Sequence, residues 1–198
     1  MCRLMVSTSI ESDKIPARCV QVDERAVDRL KVTEKLNLGK NTKKIMITYR
    51  KAFLSDAEKL AEIRSNLLIE LNHILSEADR IIVEQITLKY FKKAFYDNTF
   101  VSWIALDNEE IIATSGLSFS IVPPLLQIPD GKVAYIMNMF TFPSYRNRGI
   151  GTELLNRIVE EAKQLGYKKI TLNASEMGKP LYEKYGFKDV HNAMVLFV

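Results

Sequence analysis

Hydrophobic residues recur every three or four positions in long stretches of this chain, and runs rich in β-branched and aromatic residues separate those stretches. Leu60, Ile63, Leu67, Leu71 and Leu75 form one stripe. With an N-cap at Ser55-Asp56, the spacing predicts a helix over 57–75. A second helix is expected over 83–96. The clearest stripe is Ile150, Leu154, Leu155, Ile158, Val159, Ala162 and Leu165. Glu153, Arg157, Glu160, Glu161 and Lys163 fall largely on the other side, so 149–165 reads as an amphipathic helix that Gly166 stops. Strands are expected over 45–51, 100–106, 110–119, 132–142, 168–173 and 193–198. Asp107-Asn108 supplies a hairpin turn between the second and third of these. Pro180 opens a short helix and Gly186 closes it. The strand–helix–strand run over 132–173 predicts a parallel pair with a right-handed crossover. Beside the antiparallel hairpin, this makes a mixed sheet and an α/β (α+β) chain. The apolar loop 121–129 holds Pro123-Pro124, which end the strand before it. It is expected to tuck against the core, with a lid or a dimer contact as the alternative.

Composition narrows the class. The chain has 198 residues, 47% apolar and 26% charged. These values fit one globular domain with room for an appendage. No stretch approaches the roughly 18 apolar residues of a membrane helix. The opening MCRLMVSTSIESDK lacks the apolar core of a signal peptide. The two cysteines, Cys2 and Cys19, make no disulfide framework, and a cytoplasmic location is expected. The net charge of +4 is unevenly placed. Residues 1–44 hold ten Lys/Arg against six Asp/Glu, whereas 45–198 hold eighteen of each. The balanced body argues against a broad nucleic-acid footprint. Residues 1–44 read as a basic, flexible N-terminal extension with a helix over 24–38, and 45–198 as the functional domain.

The chemistry concentrates after the 132–142 strand. There Arg146-Asn147-Arg148-Gly149-Ile150-Gly151-Thr152 joins a buried strand to a long helix. The first turn of a helix has free N–H groups and partial positive charge. Glycines let a bulky anion approach the backbone, and two arginines add charge. The combination suits a pyrophosphate. A dinucleotide-binding turn would need a third glycine at Leu154, and Gly178-Lys179 is followed by Pro180 rather than by Ser or Thr, so neither common nucleotide loop fits. His73 and His191 are isolated and show no metal-ligand spacing. No Gly-x-Ser-x-Gly elbow occurs.

The spacing Arg146-x-x-Gly149-x-Gly151 resembles the pyrophosphate loop of the GNAT superfamily of acetyl-CoA-dependent N-acetyltransferases. A second string, Leu181-Tyr182-Glu183-Lys184-Tyr185-Gly186-Phe187, is similar to that family's other hallmark and follows at the family's distance. The resemblance covers residues 45–198. It implies a central mixed, mostly antiparallel sheet of about six or seven strands, flanked by about four helices and splayed between its fourth and fifth strands. It implies acetyl-CoA as co-substrate, with no metal. It places Met139, Phe140 and Thr141 along the pantetheine arm, and Asn147, Arg148, Gly149, Ile150, Gly151 and Thr152 around the pyrophosphate. Arg146 is the loop's first residue and is expected to bond locally, and Arg148 to reach a phosphate. Tyr182 matches the family's general acid. Ser175 stands where many relatives carry a cofactor-contacting Asn, and Asn173 is its candidate substitute. The general base is open among Glu70, Tyr135, Asn138 and a water chain; Glu70 is preferred because its charge would also attract an amine. The expected reaction is direct acetyl transfer to the primary amine of a small molecule. The alternatives are a protein lysine or N-terminal acetyltransferase and a non-catalytic acyl-CoA-binding module. A homodimer is left open, and no membrane or nucleic-acid partner is implied.

Overall fold

β1 (Ile47–Lys51) is the first described strand in a computed structural model that describes residues 46–190 and 194–196. A 3-10 turn (Leu54–Asp56) leads into α1 (Ala57–Glu70) and α2 (Glu77–Tyr96). The hairpin β2 (Phe100–Asp107) and β3 (Glu110–Ile121) follows, then β4 (Lys132–Thr141), α3 (Ile150–Gln164), β5 (Lys169–Leu172) and α4 (Lys179–Tyr185). The strands pair in chain order, β1-β2-β3-β4-β5. The first three pairings are antiparallel and β4–β5 is parallel, with α3 as the crossover. Among the described residues the sheet has five strands, fewer than expected. Of the strand expected over 193–198, Met194–Leu196 carry no strand geometry and are exposed, and the other residues lie outside the description. The N-terminal extension and its expected helix also lie outside it.

Alternation along the strands sends side chains into two layers. One layer packs α1 and α2 on the sheet through Leu60, Ile63, Phe91, Phe100, Ile104 and Phe140. Phe91 and Phe100 lie 4.9 Å apart between ring centroids. The opposite layer packs α3 and Tyr182 through Leu117, Ala134, Ile136, Leu155 and Ile158. Lys51 and Trp103 both reach the buried Glu161 of α3, at 2.7 and 3.3 Å, and so tie the sheet's far strands to that helix.

Local signals set the helix ends. α1 stops at Glu70, not at residue 75, because Asn72 turns left-handed (φ 57). The His73 N–H then donates to the Leu68 carbonyl (2.8 Å) and the Asn72 N–H to the Ile69 carbonyl (3.0 Å), the Schellman closure. α2 begins at Glu77, earlier than residue 83, because the Ser76 hydroxyl accepts the Asp79 N–H and caps it. The 121–129 loop does not tuck in as a whole. Leu125 bridges Ile128, which is buried, and the tight turn between them pushes Leu126 out to 97% exposure.

Two irregularities prepare the site. β4 carries a bulge at Asn138 (φ 52), where its register against β3 shifts between Thr114 and Gly116. Such a bulge bends a strand and increases its twist. β5 pairs with β4 only as far as Ile136↔Leu172, and β4 runs on through Met137–Thr141 without it. The two strands therefore part immediately before the bulge.

Candidate active site

The free run of β4 ends at Pro143–Tyr145, a 3-10 turn, and the loop behind it opens α3. Asn147 (φ 61) and Gly149 (φ 78) are both left-handed. At Gly149 an added Cβ would meet nothing within 4 Å, so the space beside it is open, while the positive φ still disfavours a side chain. No side chain caps α3. Its first backbone bond runs from the Glu153 N–H to the Gly149 carbonyl at 3.0 Å. The N–H groups before Glu153 are those that an α-helix leaves without intrahelical partners.

This loop opens into a cavity of about 300 Å³. Met139, Phe140 and Thr141 of β4 line it with Arg146, Asn147, Gly149, Ile150, Gly151 and Thr152. Glu70 and Ser175 also line it, as do Leu67, Leu71, Met177, Gly178 and Leu181. Most of the expected cofactor residues thus meet in one place. Residues from α1 and from the segment before α4 join them, because those segments flank the gap between β4 and β5.

Arg146, expected to bond locally, holds one near and one distant partner. Its Nε donates to the Thr141 carbonyl at 2.9 Å. Its Nη2 donates to both carboxylate oxygens of Glu70 at 2.7 Å. Glu70 is therefore held at the phosphate loop by a guanidinium. Arg148 does not line the cavity: its Nη2 donates to the Ser144 carbonyl at 2.9 Å and the guanidinium lies over the Tyr145 ring. Ser175 lines the phosphate-loop cavity and its Oγ accepts the Gly178 N–H at 3.2 Å. Asn173 and Tyr182 line a different, larger cavity of about 540 Å³ along β5, α4 and Phe187–Val190. We place the cofactor's diphosphate and arm at the smaller cavity, because only there do the uncapped helix end and the free β4 edge meet.

Tyr182 is 8% exposed and packs edge-on to Phe187 at 6.0 Å. Burial, and secondarily the Tyr135 phenol, push its hydroxyl up to about 12. At neutral pH it is a proton donor, not a phenolate. Tyr135 is thereby placed near Tyr182. Asn138 is buried at the bulge, and its Oδ1 accepts from Arg64 Nη1 at 2.5 Å. The sequence reading passed over Arg64. The signal was present: it lies four residues after Leu60 and next to Ile63, on the inward side of the helix. Among the described residues no group of three or more His, Cys, Asp or Glu could hold a metal, and no helix is long and apolar enough to cross a membrane.

A mixed sheet parted at β4–β5, with an anion-ready helix end at the gap, defines an acyl-CoA-type transferase fold, and comparison with known proteins agrees. The model of the Acetyltransferase (GNAT) family matches residues 68–187, and the chain belongs to that family. A solved structure from Clostridium acetobutylicum, described as a predicted acetyltransferase with acetyl-CoA, is 39% identical. It covers 77% of this chain and 96% of that one, with a TM-score of 0.71. A glucosamine 6-phosphate N-acetyltransferase of Trypanosoma brucei brucei is 38% identical over 56 residues, 28% of this chain and 38% of that protein. An uncharacterized N-acetyltransferase of Methanocaldococcus jannaschii is 27% identical over 110 residues, 50% of this chain and 49% of that protein. The chain thus spans less than half the length of these curated relatives.

Proposed function

We propose that this chain moves an acetyl group from acetyl-CoA to the primary amine of a small molecule, directly, in a ternary complex. The observation that carries the reading is the free run of β4 ending at an uncapped helix N-terminus. The acetyl-CoA bound in the Clostridium acetobutylicum structure supports the choice of co-substrate. The Trypanosoma brucei brucei relative, named for an amino sugar phosphate, supports a small-molecule acceptor.

Acetyl-CoA, once bound, supplies an activated acyl thioester. The residues here fit its diphosphate: backbone N–H groups from Asn147 to Thr152, the open space at Gly149, and the positive end of α3. Met139, Phe140 and Thr141 offer an unpaired strand edge, which orients an extended amide-bearing arm as an added strand would. Tyr182 holds a proton at its hydroxyl, ready for a departing thiolate. Holding both reactants in one gap and keeping bulk water out supply much of the remaining acceleration.

Calorimetry with acetyl-CoA tests the first half of this reading. Micromolar or tighter binding is expected, and no detectable heat would refute it. Tyr182→Phe tests the second. It should keep acetyl-CoA affinity within about twofold and lower kcat by about 10²-fold or more, the usual worth of a positioned proton donor. Unchanged kcat would remove Tyr182 from the mechanism.

A further inference from the structure

Buried cations normally sit beside anions, because the cost of desolvating an unpaired ion is several kcal/mol. Of the other arginines among the described residues, Arg148 is exposed, and the remaining four each hold a carboxylate. Arg50 holds Asp56, Arg80 holds Glu84, Arg146 holds Glu70 and Arg157 holds Glu153. Arg64 does not. It stands half-buried on the sheet side of α1, and partial burial lowers its basicity, while the phenols of Tyr135 and Tyr90 partly offset that effect. Among the described residues it has no carboxylate partner; its Nη1 donates to the neutral Asn138 Oδ1.

Asn138 adds to the imbalance. It is 6% exposed, and its Nδ2 is buried without a hydrogen-bond partner. Leaving such a donor unmade is ordinarily unfavourable. A cation and an amide N–H thus sit together with more donors than acceptors. They do so at the bulge, just beyond the point where β4 leaves β5. Asn138 directly precedes Met139, the first β4 residue to line the phosphate-loop cavity, so this corner adjoins the transfer site.

We propose that Arg64, held in place by Asn138, is an anion-recognition site for the acceptor, whose amine therefore comes on a molecule that also bears a carboxylate or a phosphate. The proposal rests on the acetyl-transfer reading above. Its chemistry is specific. An anionic oxygen supplies the missing acceptor for the guanidinium. A fixed cation also disfavours acceptors whose only charge is an ammonium, such as polyamines.

The test follows coenzyme A release from the full-length protein with matched amines: glucosamine 6-phosphate against glucosamine, O-phosphoethanolamine against ethanolamine, and β-alanine against β-alaninamide. In wild type, the anionic member of at least one pair should have the higher kcat/KM by about ten- to a hundredfold, as expected for a charged hydrogen bond. The phosphate and carboxylate pairs distinguish the two anions. Arg64→Gln should abolish the preference mainly through KM. Arg64→Lys should keep part of it, and both variants should bind acetyl-CoA as wild type does. A preference for the neutral members, or an unchanged ratio in Arg64→Gln, would overturn the proposal. A purely structural Arg64 would instead lower thermal stability in both variants and leave the ratio alone. If acetyl-CoA binds but no pair reacts, inorganic phosphate and β-alanine are titrated calorimetrically into the coenzyme A-saturated protein. Saturable heat in wild type and its loss in Arg64→Gln supports the site, and equal or absent heats overturn it. Failure of wild type to bind acetyl-CoA refutes the transferase reading instead, and calorimetry alone detects that outcome.

Discussion

Tyr182 and Glu70 were both expected to move protons, and their surroundings now separate them. Burial is the larger cause of the raised Tyr182 value of about 12, with Tyr135 adding to it. The neutral phenol is therefore the form the fold favours. The sign for stability follows: the favourable contribution is complete below the ordinary phenol value near 10 and is lost as pH rises through about 12. For catalysis, the proton donor stays loaded across the whole working range. An alkyl amine deprotonates near pH 10, so the acetyl-transfer rate should rise from pH 7 to about 10. A descending limb below pH 9, measured with an alkyl amine, would contradict Tyr182 as the donor. Glu70 differs. Both its oxygens face the Arg146 Nη2 at 2.7 Å, so we assign it to positioning the phosphate loop. Glu70→Gln should reduce kcat less than tenfold, since loss of a general base costs about 10²–10⁴-fold. A larger loss that hydroxide-rich conditions restore would return Glu70 to the role of base.

At the scale of elements, α3 and its leading loop carry the site, and two substitutions there have separable effects. Thr152 is exposed in the first turn of α3, so Thr152→Trp should leave the melting temperature nearly unchanged and weaken acetyl-CoA binding by tenfold or more. Gly149→Val should lower both. A β-branched residue at φ 78 costs about 1–2 kcal/mol of fold stability besides crowding the open space. Thermal melts and calorimetry on the two variants check this; retained affinity in Thr152→Trp would displace the phosphate-loop assignment. These elements were legible in the sequence because their signals are local: an apolar stripe of helical period, and glycines at fixed steps after an arginine. What escaped the sequence reading was non-local or slight. One left-handed residue, Asn72, ends α1 although Leu71 and Leu75 continue its stripe. The partner of Arg146 lies 76 residues away in the chain. Arg64 was missed because a charge on a helix is ordinarily solvated, and only the packed fold shows which way this one faces. The loop at Leu125-Leu126 was expected to be buried from its composition, yet a tight turn decided its exposure.

For the whole molecule, we propose that 45–198 is the catalytic unit, since among the described residues segments from α1 to α4 line the phosphate-loop cavity. A chain shortened to 45–198 should bind acetyl-CoA with the same affinity as the full chain in calorimetry. A tenfold loss would make residues 1–44 part of the binding unit. The two packed layers of that unit depend on a count as well as on composition. Before Asn138, even-numbered β4 residues such as Ala134 and Ile136 enter the α3 layer, and Met137 enters the other. After it, the odd-numbered Met139 enters the α3 layer and the even-numbered Phe140 packs with α1 and α2. The bulge therefore reverses the parity of the strand. The residues beyond it owe their layer to the single inserted position, because Met139 and Phe140 are both apolar and either would suit either side. Odd and even change places in mid-strand, just past the point where the sheet parts.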